Sequence, residues 1–434
     1  MKITIIGTGY VGLVSGVCFS DFGHIVTCVD KDSKKIDLLN KGGIPIYEPG
    51  LETLAAKNIK EERLFFTTEL KQAMAESEAV FIAVGTPENK ETGAADLSYI
   101  YAAAREVADY IDGYTVIVNK STVPVGTGDE VEAIIRKANL TAEFDVVSNP
   151  EFLREGAAIF DFKHPDRIVI GAQTERAEAL MRRVYRPFDL NKTQLVMTNR
   201  RTSELIKYAG NTFLATKITF INEMADLCEK VGADVMEVSR GIGLDSRIGP
   251  KFLNAGPGYG GSCFPKDTMA IVNTARHVGS PLRIIEAVVE VNDIRKRNMA
   301  KKIIEGVGGS VQGKTIAVLG LSFKPDTDDM RESPAIMIVQ ALEAAGAIVR
   351  AYDPEAMDEA KHILPYITYC SDVYDCAKDA DALAIITEWD KFRALDFDRL
   401  STIMKRKTLI DLRNIYVPEK IRQRGYNYIS VGRD

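Results

Sequence analysis

Short runs rich in Ile and Val alternate with helical patterns over the first 200 residues. These runs lie at Lys2–Ile6, His24–Val29, Ala79–Val84, Thr115–Asn119 and Phe144–Val147. Apolar runs of this length predict strands that are buried on both faces, and the stretches between them carry apolar residues at helical spacing. Strands that alternate with helices form right-handed βαβ units, so residues 1–200 are predicted to be an α/β domain with a mainly parallel sheet.

From residue 201 to residue 305 the strand-like runs are absent. Ser203–Val231 and Pro281–Glu305 instead carry apolar residues at helical spacing, and a glycine-rich loop lies between them. Proline suits the first turn of a helix because its missing N–H is not needed there, so the second helix is predicted to hold Pro281 in its first turn. These residues are predicted to form a central helical region.

The third part of the chain, residues 306–434, repeats the strand pattern of the first part. The matching segments, in the same order, are Lys314–Gly320 with Lys2–Gly7, Gly346–Asp353 with Gly23–Asp30, and Ala382–Thr387 with Val80–Gly85. Any two parallel strands look alike, but three pairs in one order indicate two related domains. The predicted fold is therefore α/β, with two Rossmann-like doubly wound domains joined by the central helical region.

Charge and composition exclude some classes of partner. With 55 Lys and Arg against 61 Asp and Glu the net charge is −6, which gives no long-range attraction to nucleic acid. No apolar run reaches about 18 residues, so no segment is predicted to span a membrane.

The six cysteines form no C-x-x-C pair, and the four histidines are scattered. No metal site is therefore expected. Sparse, unpaired thiols in a long chain fit a reducing compartment, which predicts a cytoplasmic protein.

A glycine fingerprint directly follows the first predicted strand. It has the form G-x-G-x-x-G, opens a helical pattern, and consists of Gly7, Gly9, Tyr10, Val11 and Gly12 with Thr8. An acidic residue, Asp30, ends the second strand, as a site for the ribose hydroxyls of NAD requires. Asp30 would repel the 2′-phosphate of NADP, although Lys35 and its neighbours soften that exclusion. The sequence therefore predicts an NAD site, the alternative being a tight turn without a ligand.

Two further loops follow strands of the same predicted sheet. Thr86 lies in Gly85–Pro87 and Thr122 lies in Ser121–Pro124. Ligands of open α/β sheets bind beyond the carboxyl ends of the strands, so both threonines are predicted to contact the cofactor. The alternative is ordinary turn chemistry, which also favours Thr, Gly and Pro.

The loop Gly256–Asp267 contains the candidate nucleophile, Cys263. Most lone cysteines are buried and structural, but this one lies among glycines and prolines with Lys266 three residues later. A nearby ammonium raises the thiolate fraction of a cysteine, and exposed glycine N–H groups can hold an anion.

Two predicted helical pairs could complete the chemistry. Asn149 followed by Pro150 is typical of a helix start, which would place Glu151 and Glu155 on one helix face. The alternative is an acidic first turn that serves only the helix dipole. Lys207 and Asn211 also share a helix face, where a solvated polar stripe is the alternative.

Six motifs fall in order along nearly the whole chain. They are Gly7–Gly12, Lys120–Pro124, Asn149–Glu155, Glu204–Phe213, Gly260–Asp267 and Phe323–Ser333. In this combination they closely resemble the UDP-glucose/GDP-mannose dehydrogenase family, and no motif position departs from the family pattern.

The resemblance implies a four-electron oxidation of the primary alcohol of UDP-glucose to the carboxylate of UDP-glucuronate, with two NAD. The catalytic residues implied are Cys263, Lys207, Asn211, Asp267, Thr122 and Glu151. Cys263 would attack the aldehyde formed by the first oxidation, and the thiohemiacetal would be oxidised to a thioester. The resemblance implies that Lys207 and Asn211 stabilise the oxyanions. It also implies that Asp267 transfers protons together with a water and Thr122. Glu151 would be the base for thioester hydrolysis.

The resemblance also implies binding residues. For the sugar nucleotide, besides Glu151, Lys207 and Asn211, they are Phe152, Leu153, Arg154, Glu155, Phe252, Leu253, Asn254, Ala255, Gly256, Tyr259, Gly260 and Lys324. For NAD they are Glu155, Lys266 and Arg331. Arg247 resembles an arginine that family members donate across a dimer interface, which implies a homodimer. For Lys324 and Arg331 surface charge is the alternative, because three aspartates lie between them.

Two alternatives to this activity remain open. A sister enzyme would act on GDP-mannose or on a UDP-N-acetyl-hexosamine, because the sequence does not fix recognition of the base. A protein of another class would bind NAD and a sugar nucleotide without turnover, against which the intact Cys263, Lys207 and Asp267 argue. The product UDP-glucuronate would be a natural precursor for polysaccharide synthesis.

Overall fold

Two sheets organise the computed structural model, which describes residues 1–89, 93–191 and 193–433. Each sheet lies in its own compact unit. The first unit comprises Met1–Gly210 with Asn273–Ser280, and the second comprises Asn211–Val272 with Pro281–Asp434.

The first sheet has eight strands. They are β1 Lys2–Ile6, β2 Ile25–Val29, β3 Leu64–Thr67, β4 Ala79–Ile82, β5 Thr115–Asn119, β6 Phe144–Ser148, β7 Arg167–Gly171 and β8 Gln194–Thr198. Their order is β3-β2-β1-β4-β5-β6-β7-β8. All neighbours are parallel except β6 and β7. The helices around it are α1 Tyr10–Asp21, α2 Ser33–Asn40, α3 Leu51–Lys60, α4 Leu70–Met74, α5 Ser98–Ala108, α6 Thr127–Ala138, α7 Ala158–Lys163 and α8 Glu175–Val184.

Long helices follow the first sheet, and the second sheet comes after them. The helices are α9 Arg200–Val231, α10 Val235–Gly243, α11 Phe264–His277 and α12 Arg283–Gly306. The strands are β9 Thr315–Leu319, β10 Ile348–Tyr352, β11 Thr368–Tyr369, β12 Ala382–Ile385, β13 Thr408–Asp411 and β14 Asn427–Ile429, in the order β11-β10-β9-β12-β13-β14. The helices among them are α13 Pro334–Ala344, α14 Met357–Ile363, α15 Val373–Ala377, α16 Phe397–Ile403 and α17 Pro418–Arg422.

The predicted fold class is confirmed. The order β10-β9-β12 in the second sheet matches β2-β1-β4 in the first, as the repeated sequence segments predicted. All four residues of β4 are fully buried because helices cover both faces of the sheet, which explains why these strands read as continuous apolar runs. Burying a side chain as large as Phe81 of β4 contributes about 1.5–3 kcal/mol.

Two helix starts differ from the prediction. Residues 149–157 form no helix, and α7 begins only at Ala158. The Asn149 side chain is buried and accepts hydrogen bonds from Lys120 and Tyr185, so it is not available to cap a helix. The predicted helical pairing of Glu151 with Glu155 is therefore wrong.

The last long helix, α12, also starts later than predicted. Pro281 precedes it, because the chain is still outside helical geometry at Leu282 (ψ 81°) and the helix begins at Arg283. Among the described residues no helix is both long and apolar enough to cross a membrane.

Candidate active site

The turn between β1 and α1 requires two of its glycines for steric reasons. Gly7 has a φ of +102°, and a Cβ on it would lie 2.6 Å from the carbonyl oxygen of Ala83. A Cβ on Gly12 would lie 2.0 Å from the carbonyl oxygen of Gly7. Both contacts are far shorter than van der Waals distance, so the turn closes only with glycine at these positions.

Gly9 is different, because neither packing nor backbone geometry requires glycine there. A Cβ on Gly9 would meet no atom within 4 Å, and its φ is −71°. It caps α1, whose start has no side-chain cap and no acidic residue in the first turn. A helix N-terminus with open space before it can receive a pyrophosphate on its N–H groups. The turn therefore fits NAD, which would be held by the backbone from Gly9 onward.

Asp30 is held in a fixed orientation at the end of β2. Its Oδ2 accepts hydrogen bonds from the N–H of Thr8 at 2.8 Å and from the hydroxyl of Thr8 at 2.7 Å. Burial opposes its charge, but these donors, the N–H of Asp32 and the charge of Lys35 hold the pKa of Asp30 below its usual value. The carboxylate is therefore ionised at neutral pH, as a ribose-binding acid must be.

The other residues predicted for the cofactor are placed as follows. The Thr86 hydroxyl donates to the carbonyl of Thr122 at 3.1 Å, so the structure brings these two predicted loops together. The Tyr10 hydroxyl bonds the carboxylate of Glu48, and burial raises the pKa of Tyr10 far above its usual value. The same Glu48 carboxylate accepts from the N–H groups of Gly156 and Ala158 and so caps α7. Sequence reasoning missed Glu48, which has no motif around it.

Glu151 and Lys207 form a buried ion pair in the first unit. The Lys207 Nζ lies 3.0 Å from Glu151 Oε1, and the N–H of Leu153 donates to Glu151 Oε2 at 2.6 Å. Burial opposes ionisation, but Lys207, this N–H and Lys120 together hold the pKa of Glu151 below its usual value. The carboxylate is therefore charged and acceptor-only at neutral pH, which a general base requires.

Aromatic and charged neighbours surround this pair. The Phe152 ring lies 3.6 Å from the Arg167 guanidinium and 5.2 Å from the Lys207 Nζ. Arg154 is bound to Asp161 through two nitrogens and is largely exposed.

Glu204, on the same helix as Lys207, has a structural role that the sequence did not predict. Its carboxylate accepts from the N–H groups of Gly126 at 2.6 Å and Gly128 at 2.9 Å, and so caps α6.

In the second unit, Cys263 lies directly before the first residue of α11. It is partly exposed, whereas the other five cysteines are buried. The positive end of the α11 dipole favours an anion at this position, which suits a thiolate nucleophile.

Asp267 lies in the first turn of α11, four residues after Cys263, and binds two polar side chains. It is fully buried, and its two oxygens accept from the Asn211 amide at 2.6 Å and the Lys266 ammonium at 2.5 Å. The structure thus brings together three predicted residues, Asn211, Lys266 and Asp267, on α9 and α11.

The loop that precedes Cys263 is pinned by buried polar side chains. The N–H of Gly256 donates to Asn222, its carbonyl accepts from Arg295, and both the N–H and the carbonyl of Tyr259 bond the Asn292 amide. Sequence reasoning missed these three side chains. Their only signal is polar residues at core-facing positions of α9 and α12.

The remaining predicted substrate residues line the same loop. Leu253, Ala255, Gly256, Tyr259 and Gly260 are buried, Phe252 is half-buried with a φ of +65°, and Asn254 is exposed. Gly260 packs so closely that a Cβ on it would lie 2.3 Å from the carbonyl oxygen of Glu332.

Three basic residues predicted to bind ligands or a partner, Arg331, Lys324 and Arg247, belong to the second unit. Arg331 binds Asp329 through two nitrogens, at 2.9 and 2.7 Å. Its carbonyl accepts from the N–H of Gly261 at 2.8 Å, which ties it to the glycine loop. Lys324 stands 5.7 Å from the Phe323 ring, and Arg247 is exposed and paired with Asp245. No group of metal-ligating side chains occurs in the part of the chain that the structure describes.

Relatives of known name cover the whole chain. It is 63% identical to UDP-glucose 6-dehydrogenase of Rhizobium meliloti (strain 1021), over 100% of both proteins. It is 50% identical to UDP-glucose 6-dehydrogenase TuaD of Bacillus subtilis (strain 168), over 100% of this chain and 93% of that protein. Among solved structures, a UDP-glucose dehydrogenase from Pyrobaculum islandicum aligns with a TM-score of 0.90 and 39% identity, over 99% of this chain and 96% of that one.

Three family models match consecutive parts of the sequence. The NAD binding domain matches residues 1–189, the central domain residues 201–294, and the UDP binding domain residues 317–418. The first of these regions contains the fingerprint turn and Asp30, and the second contains Cys263 and Asp267. The chain therefore belongs to the UDP-glucose/GDP-mannose dehydrogenase family.

Proposed function

We propose that this protein oxidises UDP-glucose to UDP-glucuronate with two NAD, through a covalent thioester on Cys263. The observation that carries the proposal is the setting of Cys263, a partly exposed thiol at the start of α11 next to the buried Asp267 network. The names of the relatives and the match to a UDP binding domain support UDP-glucose as the substrate.

The reaction balances as UDP-glucose, water and two NAD⁺ giving UDP-glucuronate, two NADH and three protons. Bound NAD supplies the acceptor for the hydride that leaves C6 in each oxidation. We assign the proton of the C6 hydroxyl to Asp267, acting with Thr122 and a water, because a buried carboxylate held by Asn211 and Lys266 has a fixed orientation.

Covalent catalysis then divides the second oxidation into easier steps. The Cys263 sulfur bonds to the aldehyde carbon, and the thiohemiacetal loses the second hydride to become a thioester. Lys207 and Asn211 supply donors for the oxyanions of these species. Glu151 takes a proton from the water that attacks the thioester carbonyl, the C–S bond breaks, and the Cys263 thiolate leaves.

We also propose roles for the remaining predicted residues. Glu155, Lys266 and Arg331 would contact NAD, and Lys324 with the loop from Phe252 to Gly260 would contact the sugar nucleotide. The functional domains would be residues 1–200 for NAD, 201–305 for the centre and 306–434 for the UDP-sugar. Six free cysteines support a cytoplasmic location.

We further propose that the protein is a homodimer. The apolar side chains of Phe213, Phe220 and Leu227 are exposed by 65%, 46% and 52%, and their spacing of seven residues places them along one line of α9. An exposed apolar row of this length indicates a partner surface. Arg247 lies between the exposed Leu244 and Ile248, which supports its donation to a second copy.

The test is to measure NADH formed per UDP-glucose consumed. Two NADH support the thioester route, one indicates a simple alcohol dehydrogenase, and none indicates a protein that only binds. Cys263→Ala is expected to abolish formation of the acid while NAD binding is kept. A panel of GDP-mannose and UDP-N-acetyl-hexosamines separates the sister activities, and a preference for a guanine nucleotide would overturn the substrate assignment.

A further inference from the structure

A second buried lysine, Lys120, lies near enough to the Glu151–Lys207 pair in the first unit to interact with both charges. It directly follows β5, and its side chain is buried. Its ammonium donates to the Asn149 side-chain oxygen at 3.1 Å and to the Tyr185 hydroxyl at 3.2 Å. Burying an ammonium is costly, so a lysine kept in this position needs an explanation beyond packing.

Lys120 anchors the start of the segment that carries Glu151. The side chain of its partner Asn149 also donates a hydrogen bond to the carbonyl of Val169 at 2.7 Å and accepts one from the Tyr185 hydroxyl. The Asn149 side chain is thus fixed by groups from β5, β7 and the end of α8, two residues before Glu151. Because this segment is not helical, these side-chain bonds determine where it leaves the sheet.

The charges in this cluster do not cancel. Lys120 and Lys207 are two buried cations, whereas Glu151 is one buried anion. The Lys120 ammonium is attracted by the Glu151 carboxylate and repelled by the Lys207 ammonium. The Arg167 guanidinium of β7 also attracts the Glu151 carboxylate. The net charge of the two lysines and Glu151 is +1 when all three are ionised, which favours the charged form of Glu151.

We propose that Lys120 is a positioning residue for the hydrolysis half of the reaction, which acts by fixing the Glu151 segment and by supplying the second positive charge that keeps Glu151 ionised. This inference rests on the proposed function, in which Glu151 takes the proton of the attacking water. Without Lys120 the carboxylate would be both less firmly placed and protonated at higher pH. Hydride transfer does not use Glu151, so only thioester hydrolysis should be slowed.

The test compares Lys120→Met with Lys163→Met in rapid-mixing experiments with NAD and UDP-glucose. Lys163 is a matched control, because it is a partly buried lysine of the same unit whose ion pair with Asp21 lies elsewhere. Lys120→Met is expected to form two NADH per chain in a burst and then turn over about 10- to 100-fold more slowly than the parent. Acid quenching should show the UDP-glucuronyl adduct on Cys263 by intact mass spectrometry.

The pH profile supplies a readout that a purely structural role would not change. Burial lowers the pKa of Lys120 to about 8, so the ammonium is charged over the whole pH range in which Glu151 titrates. The acid limb should move to higher pH in the variant, because Glu151 loses a stabilising charge. If Lys120→Met does not fold, Lys120→Gln keeps a donor for Asn149 without the charge.

Three results overturn the inference. One is hydrolysis at the parent rate with an unchanged acid limb in a folded variant. Another is a loss of the NADH burst together with turnover, which would place Lys120 in hydride transfer or general folding. A parent that forms no NADH overturns the proposed function as well, whereas the first two results leave it standing.

Discussion

Alanine substitutions at Gly9 and Gly12 should have opposite consequences, although both residues belong to one fingerprint. A Cβ at Gly12 would lie 2.0 Å from the carbonyl oxygen of Gly7, so the backbone must move by more than 1 Å to relieve the contact. Overpacking against a rigid backbone costs about 3 kcal/mol. For a unit of this size each kcal/mol lowers Tm by about 2–4 °C, so Gly12→Ala is expected to lower Tm by about 6–12 °C.

Gly9→Ala should leave the fold almost unchanged, because the new Cβ meets no protein atom within 4 Å. Alanine is a poorer helix cap than glycine, which costs about 0.5 kcal/mol and a Tm decrease of about 1–2 °C. The Cβ instead enters the space where the backbone must approach a pyrophosphate. Loss of about 1.4–2.8 kcal/mol of binding would raise the Kd for NAD about 10- to 100-fold.

The assay is thermal unfolding of both variants together with equilibrium binding of NAD. A Gly9→Ala protein that binds NAD with the Kd of the parent would refute the reasoning, since the space before α1 would then hold no ligand. A Gly12→Ala protein with the Tm of the parent would refute the steric argument. The two variants thus separate the cofactor site from the tight turn that is its alternative.

Three further outcomes follow from contacts elsewhere. Asn292→Ala removes both hydrogen bonds to Tyr259 and should raise KM for UDP-glucose about tenfold with an unchanged Kd for NAD, in steady-state kinetics and binding assays. If the proposed homodimer forms through α9, Phe220→Glu should convert it to a monomer in sedimentation velocity, and a dimer that persists in the variant would count against the α9 interface. Burial opposes the charge of Asp21, but Lys163 lowers the pKa of this carboxyl to about 2. The ionised Asp21 therefore stabilises the fold fully above a pH of about 4, and this stabilisation is lost as the pH falls through about 2. Asp21→Asn should therefore lower Tm at pH 6 and not below pH 2.

Much of the fold could be predicted because its strands are buried on both faces. Lys2–Ile6 and Thr115–Asn119 form strands with the predicted bounds, since hydrophobicity alone marks them. Six strands went unpredicted, namely β3, β7, β8, β11, β13 and β14. Four of them, β3, β8, β11 and β14, are edge strands, whereas β7 and β13 lie inside their sheets and were missed although they are largely buried.

The conformation around Glu151 could not be predicted, because it is decided by distant residues. Asn149 followed by Pro150 favours a helix start locally, yet Lys120 and Tyr185 bind the Asn149 side chain in another way. The pairing of Asn292 with Tyr259 has the same origin, since the two residues are 33 positions apart and meet only in the folded unit. Sequence motifs thus indicated the family, whereas tertiary contacts determine the conformation of the segments that carry the candidate site residues.

The repeated architecture explains why NAD is expected on one sheet only. In the second sheet Gly320 has a φ of +91°, and the Asp353 carboxylate accepts hydrogen bonds from the N–H groups of Leu321 and Ser322. Gly320 and Asp353 thus occupy the same places in their turn as Gly7 and Asp30 in the turn of the first sheet. At the position of Gly9, however, stands Ser322. The helix that follows, α13, begins only at Pro334, and its start is already capped by the Ser333 hydroxyl. Asp353 is also buried and holds the Trp389 indole, so it cannot offer its oxygens to a ribose. Both sheets therefore keep the tight turn, but only the first keeps an open helix start for a pyrophosphate.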